Sequence, residues 1–461
     1  MNRMTRKGFI GGMVAAGAVA GRGAPAQGGK RWYRGMLHMH SHWSDGRALP
    51  EQAVAAYKNA GYDFVSLSDH NRFQDNPDKW MAVGNGTEKG WPPKVVHPDC
   101  FKAYVERFGR GRVRESGGKA EVRLATYPEL KKMFDEPGKF LLLPGVEITT
   151  DAKATGMTYA MHMNVIGIDD IIERAKKANL IESMPKHTVA SVIRETREMS
   201  EALAKKRGNP PFLCVVNHPN WLFYDVFARD IVDNPEIRYF EVCNNGSEWS
   251  VPEELDGEWY HDSLWDAVLA WRRTHGQQPL YGMGVDDTHF YPGSGLENPY
   301  TFGDGYIMVR AEALTQKALF DAIHRGDFYA SSELDLEDVS FDRGTGTLKV
   351  SVPATPGVAF KIRFITTKKG AILEPVRYVG IPAAKEHMNR ARNVPIYDER
   401  IGTTVKLVEG GKGERVEASY KLAADDLYVR ARVESDAPTQ FKRKRCLHPA
   451  HHTAWTQPYF V

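Results

Sequence analysis

Between residues 33 and 310 the chain alternates short apolar runs with stretches of helical period. The runs at 33–38, 62–68, 139–146, 159–166, 212–217, 238–243 and 279–285, with an eighth at 305–310, end in polar or turn residues, which predicts buried strands. Between them, residues 50–60, 127–135, 189–207, 262–274 and 313–325 repeat apolar positions every three or four residues and predict helices. Thr126-Tyr127-Pro128-Glu129 marks one helix start, with a glutamate three residues after the threonine and proline in the first turn. This order predicts an α/β fold. Residues 77–121 are rich in glycine, proline and charge and read as a long loop or insertion, a segment type that often walls a pocket. From about residue 335 the pattern changes to strict alternation, as in LKVSVPAT, FKIRFITT and LYVRARVE, broken by Gly, Asp and Pro turns. That predicts a small all-β, sandwich-like domain over 336–461.

With 461 residues there is material for more than one domain, and the expected division is 1–26, 30–335 and 336–461. The net charge of +3 offers no electrostatic footprint for a stable nucleic-acid partner. The basic run Lys442-Arg443-Lys444-Arg445 is short and reads as a solvated face. Residues 1–26 read as a signal peptide: Arg3, Arg6 and Lys7 precede a weakly apolar run, and Ala24-Pro25-Ala26 gives a small-x-small cleavage pattern. Thr5 to Ile10 is similar to a twin-arginine export motif, with Lys7 in place of the second arginine. A periplasmic or secreted protein with no membrane span after signal removal is expected. Cys100, Cys214, Cys243 and Cys446 lie far apart without C-x-x-C spacing, so neither a disulfide scaffold nor a cysteine zinc site is expected.

The chemistry gathers where the apolar runs end. Residues 36–46 read MLHMHSHWSDG, and His38, His40 and His42 share a face if the strand continues. Asp45 follows. The second run ends in Asp69-His70-Asn71, the third in Glu147, and the fourth holds His162. The fifth ends in Asn217-His218-Pro219, the sixth in Glu241 and Asn244, and the seventh in Asp286-Asp287-Thr288-His289. Active sites of (β/α) barrels are assembled from strand C-terminal ends, and this series follows that rule. The candidate metal ligands are His38, His40, Asp45, His70, Glu147, His162, His218, Asp287 and His289. Nine donors exceed one ion's needs and suit two or three divalent ions, with manganese, zinc or iron favoured by mixed imidazole and carboxylate donors. Asp69 and Asp286 are expected to support ligands from behind, and Asn244 and Arg72 to contact substrate. The expected nucleophile is a metal-bound water, its pKa lowered to roughly 7. His42 is the side-chain candidate for the acid.

In order and content these motifs resemble the PHP (polymerase and histidinol phosphatase) superfamily over roughly residues 33–335. The resemblance implies a distorted (β/α)7 barrel with a trinuclear site and phosphoesterase activity on small phosphomonoesters, nucleotides or oligonucleotide ends. It implies His38, His40, Glu147 and Asp287 on one metal, Glu147, His162 and His218 on a second, and Asp45, His70 and His289 on a third. GDFYAS at 326–331 and AWTQP at 454–458 are similar to an exported branch, the carbaryl-hydrolase group, for which carbamate, ester or amide cleavage is the alternative. A non-catalytic metal- or ligand-binding module is the third reading.

Overall fold

The computed structural model describes residues 29–85, 93–149, 161–170, 188–219, 226–244, 260–296, 302–381, 392–439 and 451–460. Residues 1–26, read above as a signal peptide, the 442–445 basic run and Cys446 lie outside these. The expected strands and helices of the first two-thirds all occur. In chain order they are β1 (Arg31–Met36), α1 (Pro50–Asn59), β2 (Phe64–Ser66), then β3 (Trp80–Ala82), α2 (Pro98–Phe108), β4 (Val113–Ser116) and β5 (Lys119–Arg123). Next come α3 (Tyr127–Phe134), β6 (Leu141–Leu143), β7 (Gly145–Thr149), β8 (His162–Ile166), α4 (Val189–Lys206), β9 (Leu213–Val216) and α5 (Ala228–Val232). β10 (Tyr239–Asn244), α6 (Tyr260–Thr274), β11 (Tyr281–Val285), β12 (Gly305–Ala311), α7 (Gln316–Arg325) and β13 (Phe328–Ser332) complete this part. Buried runs such as LLL and LCVV are apolar on both faces, as strands covered from both sides must be.

The run 139–146 splits at Pro144, which has no N–H to donate to a ladder. Before it, β6 extends the sheet order β12-β1-β2-β6; after it, β7 begins a second sheet, β11-β10-β9-β8-β7. A single closed ladder is not formed among the described residues. Instead the two sheets are stitched at both edges by isolated bridges, Met39 to Thr288 and His70 to Glu147. Gly284 and Gly305 let β11 press onto β12: a Cβ on Gly284 would lie 2.6 Å from the Tyr306 carbonyl, and one on Gly305 would lie 2.2 Å from that of Val285. These closures lie just past the C-terminal ends of β1, β2 and β11, and they bring the ligand-bearing turns together.

Two expectations change in detail. Residues 77–121 are not simply loop: β3, β5 and β4 form a three-stranded sheet. Met81, Val96, Cys100, Tyr104, Val122 and Leu124 bury their own apolar cluster there, against Trp43 and Leu49. The long-range partners Trp43 and Leu49 complete a core that the local composition conceals. Beyond residue 335 the strands are β14 (Asp338–Asp342), β15 (Thr347–Val352), β16 (Phe360–Thr366), β17 (Arg377–Ile381), β18 (Arg392–Ile396), β19 (Thr403–Glu409), β20 (Val416–Lys421), β21 (Arg430–Pro438) and β22 (His451–Thr456). β22 pairs with β13, so β19-β16-β21-β22 continue the sheet that contains β1. The sheet β14-β15-β20 shares a buried apolar core with them. No described helix is long and apolar enough to cross a membrane.

Candidate metal centre

His38 and His40 follow β1 directly, in the extended segment held by Met39 and Thr288. His40 N–H donates to the Thr288 carbonyl at 2.9 Å, tying the first strand end to the last. Both rings turn inward with centroids 5.1 Å apart. Glu147 sits at the middle of the site. Its Oε2 lies 3.3 Å from His38 Nε2, 3.3 Å from His40 Nε2 and 3.0 Å from His70 Nδ1. Its Oε1 lies 3.0 Å from His162 Nδ1 and 3.7 Å from His218 Nε2. Asp287 Oδ1 is 3.2 Å from His38 Nε2 and 3.0 Å from His40 Nε2. Asp45 closes the other side, 3.3 Å from His40 Nδ1, 3.1 Å from His70 Nε2 and 3.3 Å from His289 Nε2.

All nine expected ligands therefore meet in one buried volume. Three overlapping donor groups emerge: His40, Asp45, His70 and His289; His38, His40 and Glu147; and His70, Glu147 and His162. His218 stands slightly outside the last, and Asp287 faces the second from 3.0–3.2 Å. Two ligands each about 2.0–2.2 Å from one ion lie about 3–3.6 Å apart, and the closest donor pairs here span 3.0–3.3 Å. His38 Nε2, Asp45 Oδ2 and Glu147 Oε2 are buried without hydrogen-bond geometry to any neighbour. Such atoms are costly unless something else, such as a cation, takes them up. The donor set fits divalent metal ions.

Electrostatics without metal follow from this crowding. Burial opposes charge on His38, but Asp287, Glu241 and Glu147 hold its pKa well above the ordinary value. His70 is likewise raised against its own burial by Glu147 and Asp45. Burial lowers His40 and brings His162 down to about 4. Although burial alone would raise them, Glu147 and Asp45 lie well below the carboxylate range because imidazoles surround them. Bound metal must displace protons from the raised imidazoles.

A second layer aims the ligands. Glu241 Oε1 accepts from His38 Nδ1 at 2.7 Å, leaving Nε2 to face the centre. Its Oε2 accepts from the His218 backbone N–H at 2.7 Å and from Asn244 Nδ2 at 2.8 Å. Asn217 Nδ2 donates to Glu147 Oε1 at 2.8 Å. Neither Glu241 nor Asn217 is singled out by the motif series as a positioning group. Glu241 stands at a strand end with the other acids, yet simple alternation separates it from Asn244. A bulge between Glu241 and Cys243 puts both side chains on the site.

Three sequence expectations need correction. Asp69 orients no imidazole; it accepts from Ser41 N, Ser41 Oγ, Ser44 Oγ and Gln74 Nε2 and so pins the turn that carries Asp45. Asp286 points away from the site and takes the backbone N–H groups of Gly303, Asp304 and Gly305 and the Tyr57 hydroxyl. Asp287, at φ 53°, faces the imidazoles of His38 and His40 with its own carboxylate. His42 is buried with Nδ1 on the Gly46 carbonyl and belongs to none of the donor groups, because its turn folds back on itself. Arg72 is exposed and lines a cavity together with Asn71, the chain neighbour of His70. Asn244 reaches the site, 3.4 Å from Asp287 Oδ2, as well as holding Glu241. Away from this centre, His452 Nε2 lies 3.3 Å from Glu333. Cys100, Cys214 and Cys243 are buried and form no disulfide among the described residues.

No protein-family model matches the chain, and no curated protein matches it. Solved structures with distant likeness include a two-domain protein from Bacteroides vulgatus whose name assigns it a PHP-like metal-dependent phosphoesterase part. It has 16% identity and a TM-score of 0.35, over 95% of this chain and 97% of that one. A Bifidobacterium adolescentis protein named by assignment as a metal-dependent phosphoesterase has 14% identity and a TM-score of 0.27, over 58% of this chain and 90% of its own. An amidohydrolase from Chromobacterium violaceum, with bound sulfate and no metal, has 16% identity and a TM-score of 0.24, over 57% of this chain and 90% of its own.

Proposed function

We propose that the chain is an exported metal-dependent hydrolase of phosphate esters, its strand ends arranged in the manner of a PHP-type (β/α)7 barrel. The convergence of six imidazoles and three carboxylates in one buried volume carries the hydrolase reading. Two or three manganese, zinc or iron ions would supply Lewis acidity and a water-derived nucleophile near neutral pH.

The chain's own groups do the rest. Glu147 turns each oxygen toward different imidazoles, which places it between neighbouring sites. Glu241, Asn217 and Asn244 fix ligand orientation through hydrogen bonds. Access is set by exposure: the side chains of His38 and His40 are 0% exposed, whereas those of His70 and His289 are 19% and 20% exposed. Substrate therefore enters over His70 and His289. Donor groups that share His40, His70 and Glu147 suit an array of adjacent ions, the arrangement that clamps both oxygens of an in-line phosphoryl displacement.

The test compares p-nitrophenyl phosphate with p-nitrophenyl acetate and an aryl carbamate on manganese- or zinc-loaded protein, with His38→Ala as control. Phosphate turnover that disappears in the control is expected. Ester or carbamate turnover alone would refute the phosphoesterase reading and leave a carbonyl hydrolase.

A further inference from the structure

A cavity of about 290 Å³ is lined by Trp43, Asn71, Arg72, Phe73, Asp75, Asn76 and Lys79, among them the immediate chain neighbour of the ligand His70. It is built from the two segments that carry ligands. Trp43 stands two residues before Asp45, and Arg72 two residues after His70, so its Cα is within about 7 Å of the Cα of His70.

The walls are fixed. Asn71 is held at φ 47°. Its Nδ2 donates to the Thr149 carbonyl at 2.8 Å, and its Oδ1 accepts from Thr149 N–H at 3.0 Å. The Thr149 hydroxyl in turn meets His70 Nδ1 at 2.5 Å, so the cavity wall and a ligand share one anchor. Trp43 Nε1 donates to the Ala125 carbonyl at 2.9 Å, and the Lys79 carbonyl accepts from Leu124 N–H at 2.9 Å.

The cations are available. Nearby arginines are consumed: Arg112 and Arg123 pair with Glu129, and Arg114 with Glu121. Arg72 and Lys79 form no ion pair among the described residues, and both are exposed. Asp75 is the one carboxylate in the lining, which leaves a net charge of +1 (two cations less one anion).

We infer that this cavity is a second anion subsite, in which Arg72 and Lys79 hold a phosphate or carboxylate on the leaving-group side of the substrate. The inference rests on the phosphoesterase reading for the scissile group. It makes the preferred substrate a phosphate ester with a second acidic group a few bonds away, ahead of a simple monoester. Bidentate guanidinium contact suits either oxyanion.

The experiment measures kcat/KM for alkyl monophosphates, α,ω-alkanediol bisphosphates and ω-carboxyalkyl phosphates of two to eight carbons, on the full metal-loaded chain. The readout is the ratio of dianchored to monoanchored substrate at each length. A ratio of about 10 or more at an optimum length is expected, as for one charge-assisted contact. Arg72→Ala and Lys79→Ala each lower that ratio about tenfold, Lys79→Glu lowers it further, and Asp75→Asn raises it. A preference shared by the carboxylate series marks a general anion subsite, and one confined to bisphosphates marks a phosphate subsite; both support the inference. A ratio near one in the wild type, or one that these variants leave unchanged, overturns it. Binding of the non-hydrolysable alkane-α,ω-bisphosphonates, followed by calorimetry, separates the two failures. If no ester is turned over, the phosphoesterase reading falls. The subsite then stands only if Lys79→Ala weakens bisphosphonate binding about tenfold, and falls if affinity is unchanged.

Discussion

Glu241 gives the sharpest test of how the centre is held. Its Oε1 receives one donor, His38 Nδ1 at 2.7 Å, and its Oε2 receives two, from His218 N–H and Asn244 Nδ2. Glu241→Gln keeps size and shape but leaves only one accepting oxygen. The amide settles with its carbonyl on the two-donor side. Its NH₂ then faces His38 Nδ1, which must become an acceptor. His38 is driven to the Nε2–H tautomer, and that proton points at Glu147 and Asp287, where the lone pair is needed. Loss of such a partner lowers metal affinity about 10–100-fold, or roughly 1.4–2.7 kcal/mol. Chelator competition on the purified protein measures the zinc affinity, and ¹⁵N spectra of the imidazoles report the tautomer. Glu241→Gln with wild-type affinity, or with His38 still protonated at Nδ1, would refute the reasoning.

Three further outcomes follow from buried charge and its partners. Burial pushes Glu51 up to about 7 despite Arg112 and Tyr104. Its folded pKa thus exceeds the unfolded value, and stability falls as pH rises from the unfolded pKa through 7. Glu51→Gln is expected to be more stable than wild type at pH 8, by up to about 3 kcal/mol, and nearly equal at pH 4, as read from urea midpoints. Arg430 is buried and grips Asp266 with two nitrogens at 2.8 and 2.6 Å while touching Asp262 at 2.7 Å. Arg430→Met strips Asp266 of its cation, leaving it the Tyr428 hydroxyl, while Asp262 keeps Arg432; the change is expected to cost about 3–5 kcal/mol in denaturant unfolding, and a loss below about 1 kcal/mol contradicts the view that this pair joins α6 to β21. Asp286→Ala strands three backbone N–H groups and is expected to destabilise by about 3 kcal/mol or more in thermal melts, a structural effect that added metal does not rescue.

The alternation of apolar runs and helical stretches located the main strands and helices outside 77–121, because local periodicity reports which face each segment buries. The ligand types were equally legible. His38, His40, Asp45, His70, Glu147, His162, His218, Asp287 and His289 sit at or near run ends, where a polar side chain in an apolar context stands out. Local pattern separated Asp287 from Asp286 but could not place every side chain. Asp286 turns to the backbone N–H groups of Gly303, Asp304 and Gly305 in a later segment. Glu241 and Asn244 share the site because a bulge inserts one residue. His42 drops out because its turn closes on Gly46. Nor did composition reveal the folded 77–121 segment, whose core depends on Trp43 and Leu49 from elsewhere in the chain. The joining of β22 to β13, which carries the late strands into the first sheet, is a pairing across more than a hundred residues. Side-chain chemistry and period are written locally; turn geometry and strand partnership are set by contacts distant in sequence, and only the tertiary structure supplies them.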